Sequence, residues 1–311
     1  RRSPKECYEQ IIADLTDAEK YAPDNDNSDR TKMTKTVAQA MLAKVYAEKE
    51  VQDYDKVITY ADKVIKTTGV ELEDSYETLW GYDETTKDCL KRNTKEGILE
   101  VHWTTGGGNW ETWMYGRQLD NWDYYFTWAK WITPSRDIIN DFEKEGDEIR
   151  KNQAIVYYAC TWSNYYPASN YPFMYKLRSS YSNIYWIRLA DIILMKAEAE
   201  AYKGNLDESA KLVNQIRKRA KLKELTFDKT NSKEAMIEAV LHERRLELAF
   251  EGERWFDLCR NNKVEKYLNG IDNRDKGRIK QVKLFDSNSY LLPIPQTALD
   301  QNTNLVQNPG Y

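Results

Sequence analysis

At 311 residues with 41% hydrophobic content, the chain can bury a large core and form one large domain or two. Lys and Arg number 46 against 50 Asp and Glu, so the formal charge of −4 gives no general polyanion signal and disfavours nucleic acid as a partner. No apolar run approaches the ~20 residues that a membrane-spanning helix needs.

The chain opens on Arg1-Arg2-Ser3, already at a helix start and without an export-signal pattern, which reads as an excised or processed piece. Ser3-Pro4-Lys5-Glu6 predicts a capping box with Pro at the first helical position. Tyr8, Ile11, Ile12 and Leu15 mark one face of a helix that runs to about Tyr21 and stops before Pro23. Residues 24–29 resemble the start of a calcium loop. The sixth position lacks Gly and Lys35 stands where a bidentate Glu belongs, so a solvated polar loop is expected and no metal. Residues 35–49 carry Ala38, Met41, Leu42, Val45 and Tyr46 on one stripe, and a second helix with Val57, Ile58, Ala61, Val64 and Ile65 ends by Gly69. This is a tetratricopeptide-like hairpin. The plan recurs at 187–202 and 207–221, turned at Gly204-Asn205 with Asn205 and Glu208 as a capping pair.

Between the hairpins the pattern changes. Leu79-Trp80 reads as extended and 97–103 as a short strand. Trp103 to Trp131 then holds six of the ten Trp, with Tyr115, Tyr124, Tyr125 and Phe126 among them and Asn109, Gln118, Asp120, Asn121 and Asp123 interleaved. Gly106, Gly107, Gly108 and Gly116 break any period, which predicts a structured loop. Flat rings with a polar edge suit the C–H face of a sugar, and amides and carboxylates beside them suit its hydroxyls. The competing reading is half-buried packing under a long loop, since Trp is usually largely buried.

Thr133-Pro134 starts a helix with Ile138, Ile139 and Phe142 on its inner face. Residues 154–186 are Tyr-rich and irregular, and Pro167 and Pro172 argue against a central strand there. Residues 231–261 form the strongest helical region, with Asn231 and Glu234 as a capping box and Gly252 as an interruption. Its Arg and Glu side chains at helical spacing predict a partly buried ion-pair network between helices rather than a catalytic pair. Residues 290–311 read as an irregular tail anchored on the helices by its apolar side chains.

Little in the chain points to catalysis. His102 and His242 are the only histidines, which all but excludes a His-built zinc site or a His-based triad. Cys7, Cys89, Cys160 and Cys259 are far apart, and Cys7 and Cys259 are expected to be buried thiols. The three consecutive glycines lack the GK[ST] of a phosphate loop. Glu111, Asp120 and Asp123 lie near the aromatics, but no spacing singles out the carboxylate pair of a glycosidase. Catalytic residues and cofactors are therefore not expected.

Three long motifs resemble the SusD/RagB family. They are Tyr185 to Ala199 (YWIRLADIILMKAEA), Glu243 to Leu258 (ERRLELAFEGERWFDL), and the ending with Pro293-Ile294-Pro295-Gln296 and Gln307-Asn308-Pro309-Gly310-Tyr311. Glu253 departs from the His that many members carry, which touches a structural contact at most. The resemblance implies a mostly α fold of tetratricopeptide-like hairpins with an irregular, loop-rich, aromatic ligand-binding insertion. It implies one domain over 1–311: scaffold at 1–70 and 186–262, ligand-binding region at 97–185, and tail at 263–311.

The resemblance also implies a Bacteroidetes outer-membrane, cell-surface lipoprotein that binds glycan and passes it to a SusC-like TonB-dependent transporter. Its members are longer, and the part before Arg1 would carry the export signal, the lipid anchor, early hairpins and often a further ring of the binding site. Two rings of the family's aromatic arc come from the segment before the helix near Pro134. The stacking candidates are thus Trp110, Trp113, Tyr115, Trp122, Tyr124, Tyr125 and Trp128. Asn109, Arg117, Gln118, Asn121 and Asp123 are the hydroxyl partners, with Tyr165 and Tyr166 as secondary candidates. Alternatives are a RagB-type binder of peptide or another nutrient, a helical-repeat scaffold without a glycan site, and, last, a helical glycosidase.

Overall fold

A computed structural model describes residues 2–83, 85–86, 88–103, 132–160, 163–178, 181–227, 232–277 and 280–311. Helix α1 (Pro4–Tyr21) starts as its sequence dictates: the Ser3 hydroxyl accepts from the Glu6 amide, and the Glu6 carboxylate accepts from the Ser3 amide. It buries no residue, and only Ile12 and Leu15 lean on Leu42, Ala43 and Tyr60. Helices α2 (Lys35–Ala47) and α3 (Tyr54–Ile65) are capped by Thr34 and Asp53 and form the first hairpin. Burial on α2 is wider than one stripe, taking in Val37, Ala40 and Ala43, because α1, α3 and a later helix all pack against it.

Leu79 and Trp80 are not extended. They close a short helix, α4 (Tyr76–Trp80), capped by Ser75, and its buried side meets Tyr185. After the small ladder of β1 (Tyr82–Asp83) with β2 (Asp88–Cys89) comes β3 (Gly97–Val101). Helices α5 (Arg136–Glu145) and α6 (Glu148–Ala154) follow, then a hairpin of β4 (Ile155–Tyr158) and β5 (Tyr171–Met174). Pro172 lies inside β5, opposite Tyr157. A two-stranded ladder has no central strand, so a residue without an N–H is tolerated where the expectation of irregular chain left no room for it.

Strand β6 (Ile184–Arg188) pairs antiparallel with β3, with Leu99 opposite Ile187, so the second hairpin begins two residues later than its periodicity implied. It consists of α7 (Leu189–Lys203) and α8 (Leu206–Arg219), and Gly204 at φ 85° makes a left-handed turn that suits a residue without Cβ. Asn205 does not cap α8; its side-chain amide donates to Glu200 at 2.7 Å. Helix α9 (Lys233–Glu247) is capped by Ser232 rather than by Asn231, which lies outside the described residues. It crosses α7 and α8, and Ile193, Ala197, Val213, Ile216, Val240 and Leu241 close the main core. Short helices α10 (Arg254–Arg260), α11 (Val264–Leu268), α12 (Ile271–Arg274) and α13 (Gln296–Gln301) end the order.

Two smaller expectations are corrected, for the thiols and for the tail. Cys7 is exposed on the unburied α1 and Cys259 is partly exposed, whereas Cys160 is the buried thiol. The polar 24–29 loop is solvated as expected, with Asp24, Asn27 and Ser28 exposed, and it also covers the buried Arg30, which donates to Asn25, to Asn27 and to the Gly69 carbonyl. No apolar side chain of the tail is fully buried: Leu292 is 80% and Val306 75% exposed, and Ile294, Leu299 and Leu305 are half-buried. Side-chain bonds to backbone tie the tail to itself, with Gln307 bridging the amide and carbonyl of Ile294 and Asn308 reaching the Leu292 carbonyl, and the Tyr290 hydroxyl ties it to Glu265 at 2.6 Å.

Of the charged side chains singled out at 243–254, all but Arg254 form ion pairs among the described residues, and those around Glu247 are buried outright. Glu247 accepts from Arg188 at 2.7 Å, Arg219 at 2.7 Å, Arg150 at 3.2 Å and the Tyr76 hydroxyl at 2.5 Å. Arg188 also reaches Glu96 at 2.7 Å and Glu251 at 2.6 Å, and Arg150 reaches Glu243 at 2.6 Å. A second cluster joins Arg244 to Asp191 and Asp257, and Arg260 to Asp257 and Glu198. There Glu253 and Asp191 share Lys44, at 2.9 and 2.6 Å. Removing one member of such a cluster leaves an uncompensated buried charge.

Replacing Glu247 with Ala should therefore lower the unfolding free energy by about 3–5 kcal/mol, read from urea titration. Burial alone would raise the Glu247 carboxyl, but Arg219, Arg188 and Arg150 outweigh it and hold the group well below the usual range. In the unfolded chain such a carboxyl titrates near about 4.3. The stabilisation is thus complete at neutral pH and drains away as pH falls below about 4. The urea midpoint should drop between pH 7 and pH 3.5, and drop less in Glu247→Gln.

Candidate functional site

The stacking candidates Trp110, Trp113, Tyr115, Trp122, Tyr124, Tyr125 and Trp128, and the polar candidates Asn109, Arg117, Gln118, Asn121 and Asp123, lie outside the described residues. The two ends of that stretch are described, and both are tied down.

At the outgoing end, β3 delivers Val101, His102 and Trp103. The buried Glu100 accepts from the amides of Asn93 and Thr94 and from the Thr94 hydroxyl, and its second oxygen lies 2.7 Å from His102 Nε2. Arg92 donates to the Trp103 carbonyl at 2.9 Å. Arg92 is itself positioned by Asp88, Asn183 and the Tyr181 carbonyl. A guanidinium with five donors in a fixed fork suits this role of tying three segments at one point.

At the returning end, the Thr133 hydroxyl donates to the Pro172 carbonyl at 2.7 Å, which docks the chain on the β4–β5 hairpin. The Tyr166 hydroxyl donates to the Pro134 carbonyl at 2.6 Å, and the Ser135 hydroxyl caps α5. Arg136 then sits over two rings, 4.0 Å from the Tyr166 centroid and 4.6 Å from that of Tyr165. It pairs with the buried Asp275 and donates to the Tyr165 carbonyl. Tyr165 donates its own hydroxyl to the other Asp275 oxygen at 2.6 Å.

Tyr165 and Tyr166 are thus brought together, edge to face at 5.1 Å, with Tyr166 packed in the same way against Tyr171. Both are half-buried and their hydroxyls are engaged by the protein. Burial first, and then the Asp275 carboxylate, pushes the Tyr166 hydroxyl above its usual titration range, so it stays a neutral donor. Sequence reasoning passed over Arg92, Arg136 and Asp275. Only Arg136 carried a local signal, as the first helical residue after Thr133-Pro134-Ser135; Asp275 lies 139 positions away.

Replacing Arg136 with Ala would leave the buried Asp275 carboxylate without its cation and remove the cover from both rings. A loss of about 2 kcal/mol of stability is expected, with near-ultraviolet circular dichroism of the Tyr cluster changing and far-ultraviolet signal preserved.

The profile of the SusD family matches residues 21–311. SusD-like protein P2 of Formosa agariphila is 27% identical over 98% of this chain, and the chain spans 65% of that relative's length. A SusD superfamily protein from Parabacteroides distasonis superposes on all of the chain and 70% of its own length, with TM-score 0.77 and 25% identity. A laminarin-binding SusD-like protein covers 100% of the chain and 70% of its own length, with TM-score 0.72 and 24% identity. With a match that runs over nearly its whole length, and with the helical frame that those structures share, the chain belongs to the SusD family.

Proposed function

We propose that this protein captures oligo- or polysaccharide at the cell surface and passes it to a SusC-like TonB-dependent outer-membrane transporter, without cleaving it. The observation that carries the reading is the aromatic stretch itself: six Trp within Trp103–Trp131, set between tied ends in a SusD-family chain. Trp110, Trp113, Tyr115, Trp122, Tyr124, Tyr125 and Trp128 stack on sugar rings. Asn109, Arg117, Gln118, Asn121 and Asp123 bond hydroxyls. Tyr165 and Tyr166 serve as the pedestal of the returning end. The laminarin-binding protein that shares this fold lends support for a glycan ligand.

In this reading the chain is one domain. Residues 1–70 and 186–262 are the scaffold, 97–185 the ligand-binding region and 263–311 the tail. The carboxylates of the Glu243–Glu253 segment are all engaged in ion pairs, which favours binding over bond cleavage. Attachment to the outer membrane by a lipid anchor belongs to the same reading; no described helix is long and apolar enough to cross a membrane.

Native affinity gels loaded with laminarin and a panel of other soluble polysaccharides test the proposal. One glycan class should retard the protein without release of reducing ends. The triple variant Trp110→Ala, Trp113→Ala, Trp128→Ala should bind at least about tenfold more weakly, or about 1.4 kcal/mol, with an unchanged melting temperature. No retardation by any glycan, together with a variant that loses folded stability, would mean that the rings are core.

A further inference from the structure

A cavity of about 440 Å³ opens between the start of α5 and the segment joining α9 to α12. Its size falls in the range of small-molecule sites. Most of its wall is apolar, with Leu248, Phe250, Trp255, Leu268 and Ile271 as the large side chains. The turn that forms one wall is held open by two left-handed residues, Phe250 at φ 66° and Gly252 at φ 88°.

Three arginines line this cavity, and two are already neutralised. Arg244 is paired with Asp191 and Asp257, and Arg245 with Asp137 and Asp141. Arg254 is different. It donates to the Leu241 carbonyl at 3.0 Å and lies over the Tyr267 ring at 4.7 Å, and no described carboxylate pairs with it. Burial first, and then the charge of Arg245, pull its titration down to about 10, the sign of a cation short of a counter-ion. One unpaired fork in an apolar chamber matches a carboxylate carried on an apolar body: the fork takes both oxygens, and the walls take the body.

We propose that this cavity, lined by residues outside the aromatic stretch, is a second binding site and that it takes a small organic acid with an apolar body through Arg254. Such a group reaches the site either as a free aromatic acid or as the end of a short peptide with an apolar last residue.

The test is saturation-transfer NMR and equilibrium dialysis on the 311-residue chain, with cinnamate, its neutral amide, glucuronate and the dipeptide Leu-Phe as probes. Cinnamate should bind at least about tenfold more tightly than cinnamamide and than glucuronate. Leu-Phe binding as well as cinnamate would identify a peptide end as the source, and Leu-Phe failing to bind would identify a free acid; both support the site. Arg254→Gln should abolish the preference for acid over amide. Ile271→Trp, which plugs the cavity without touching an arginine, should block all binding at an unchanged melting temperature. The triple Trp variant should bind cinnamate normally, which separates this site from the glycan stretch. Equal binding of acid and amide, equal binding of glucuronate, or cinnamate binding that survives Ile271→Trp would overturn the proposal.

Discussion

One carboxylate ties this fold together. Glu247 accepts from three guanidinium groups and a phenol, all buried, and they arrive from four separate elements: α4, α6, β6 and α8. Bringing so many charges out of water is costly, and only near-complete pairing offsets it. The cluster tolerates few arrangements, so it fixes where those elements stand relative to α9. Apolar packing on the Ala-rich faces of α2, α3, α7 and α8 provides the driving force but is less particular about register.

The consequence for the site is direct. Arg188, a member of that cluster, is the last residue of β6, and β6 pairs with β3, which leads into the aromatic stretch. The returning end is set by a different cluster, Arg136 with Asp275 and the two tyrosines, built on α5 and the β4–β5 hairpin. A long aromatic segment can then vary in composition while its ends stay fixed, which is how a rigid scaffold carries a binding loop. On the proposed reading, sugar hydroxyls exchange water hydrogen bonds for protein ones at small net gain, so several rings together matter more than any one contact.

Much of the scaffold was legible because helical periodicity and local caps are local signals. Ser3 with Glu6, and the apolar faces of α3 and α8, read directly from the chain. Failures came where a tertiary contact outvoted a local signal. Asn205 looked like a cap, but Glu200 holds its amide. Residues 154–186 read as irregular, yet Val156 and Phe173 pair in a two-stranded ladder; Pro172 argued only against a central strand, and there is none in it. Glu and Arg spacing in the 243–254 segment announced ion pairs, yet the partners that complete them, Arg188 and Tyr76, lie 59 and 171 positions from Glu247. The same holds for Asp275, which no pattern near Arg136 could reveal. The aromatic stretch was legible as composition and chemistry, and its residues lie outside those described.

The central functional claim is that the rings of the stretch face the glycan. Oxidative footprinting of tryptophan with and without a bound oligosaccharide tests it most directly, because the chain carries its own control: Trp186 is 65% exposed and stands on the scaffold. The account predicts that Trp110, Trp113, Trp122 and Trp128 are protected from oxidation when glycan binds, while Trp186 reacts equally in both samples. Protection of Trp186 alone, or of none of the stretch, would contradict it and move the ligand elsewhere on the molecule.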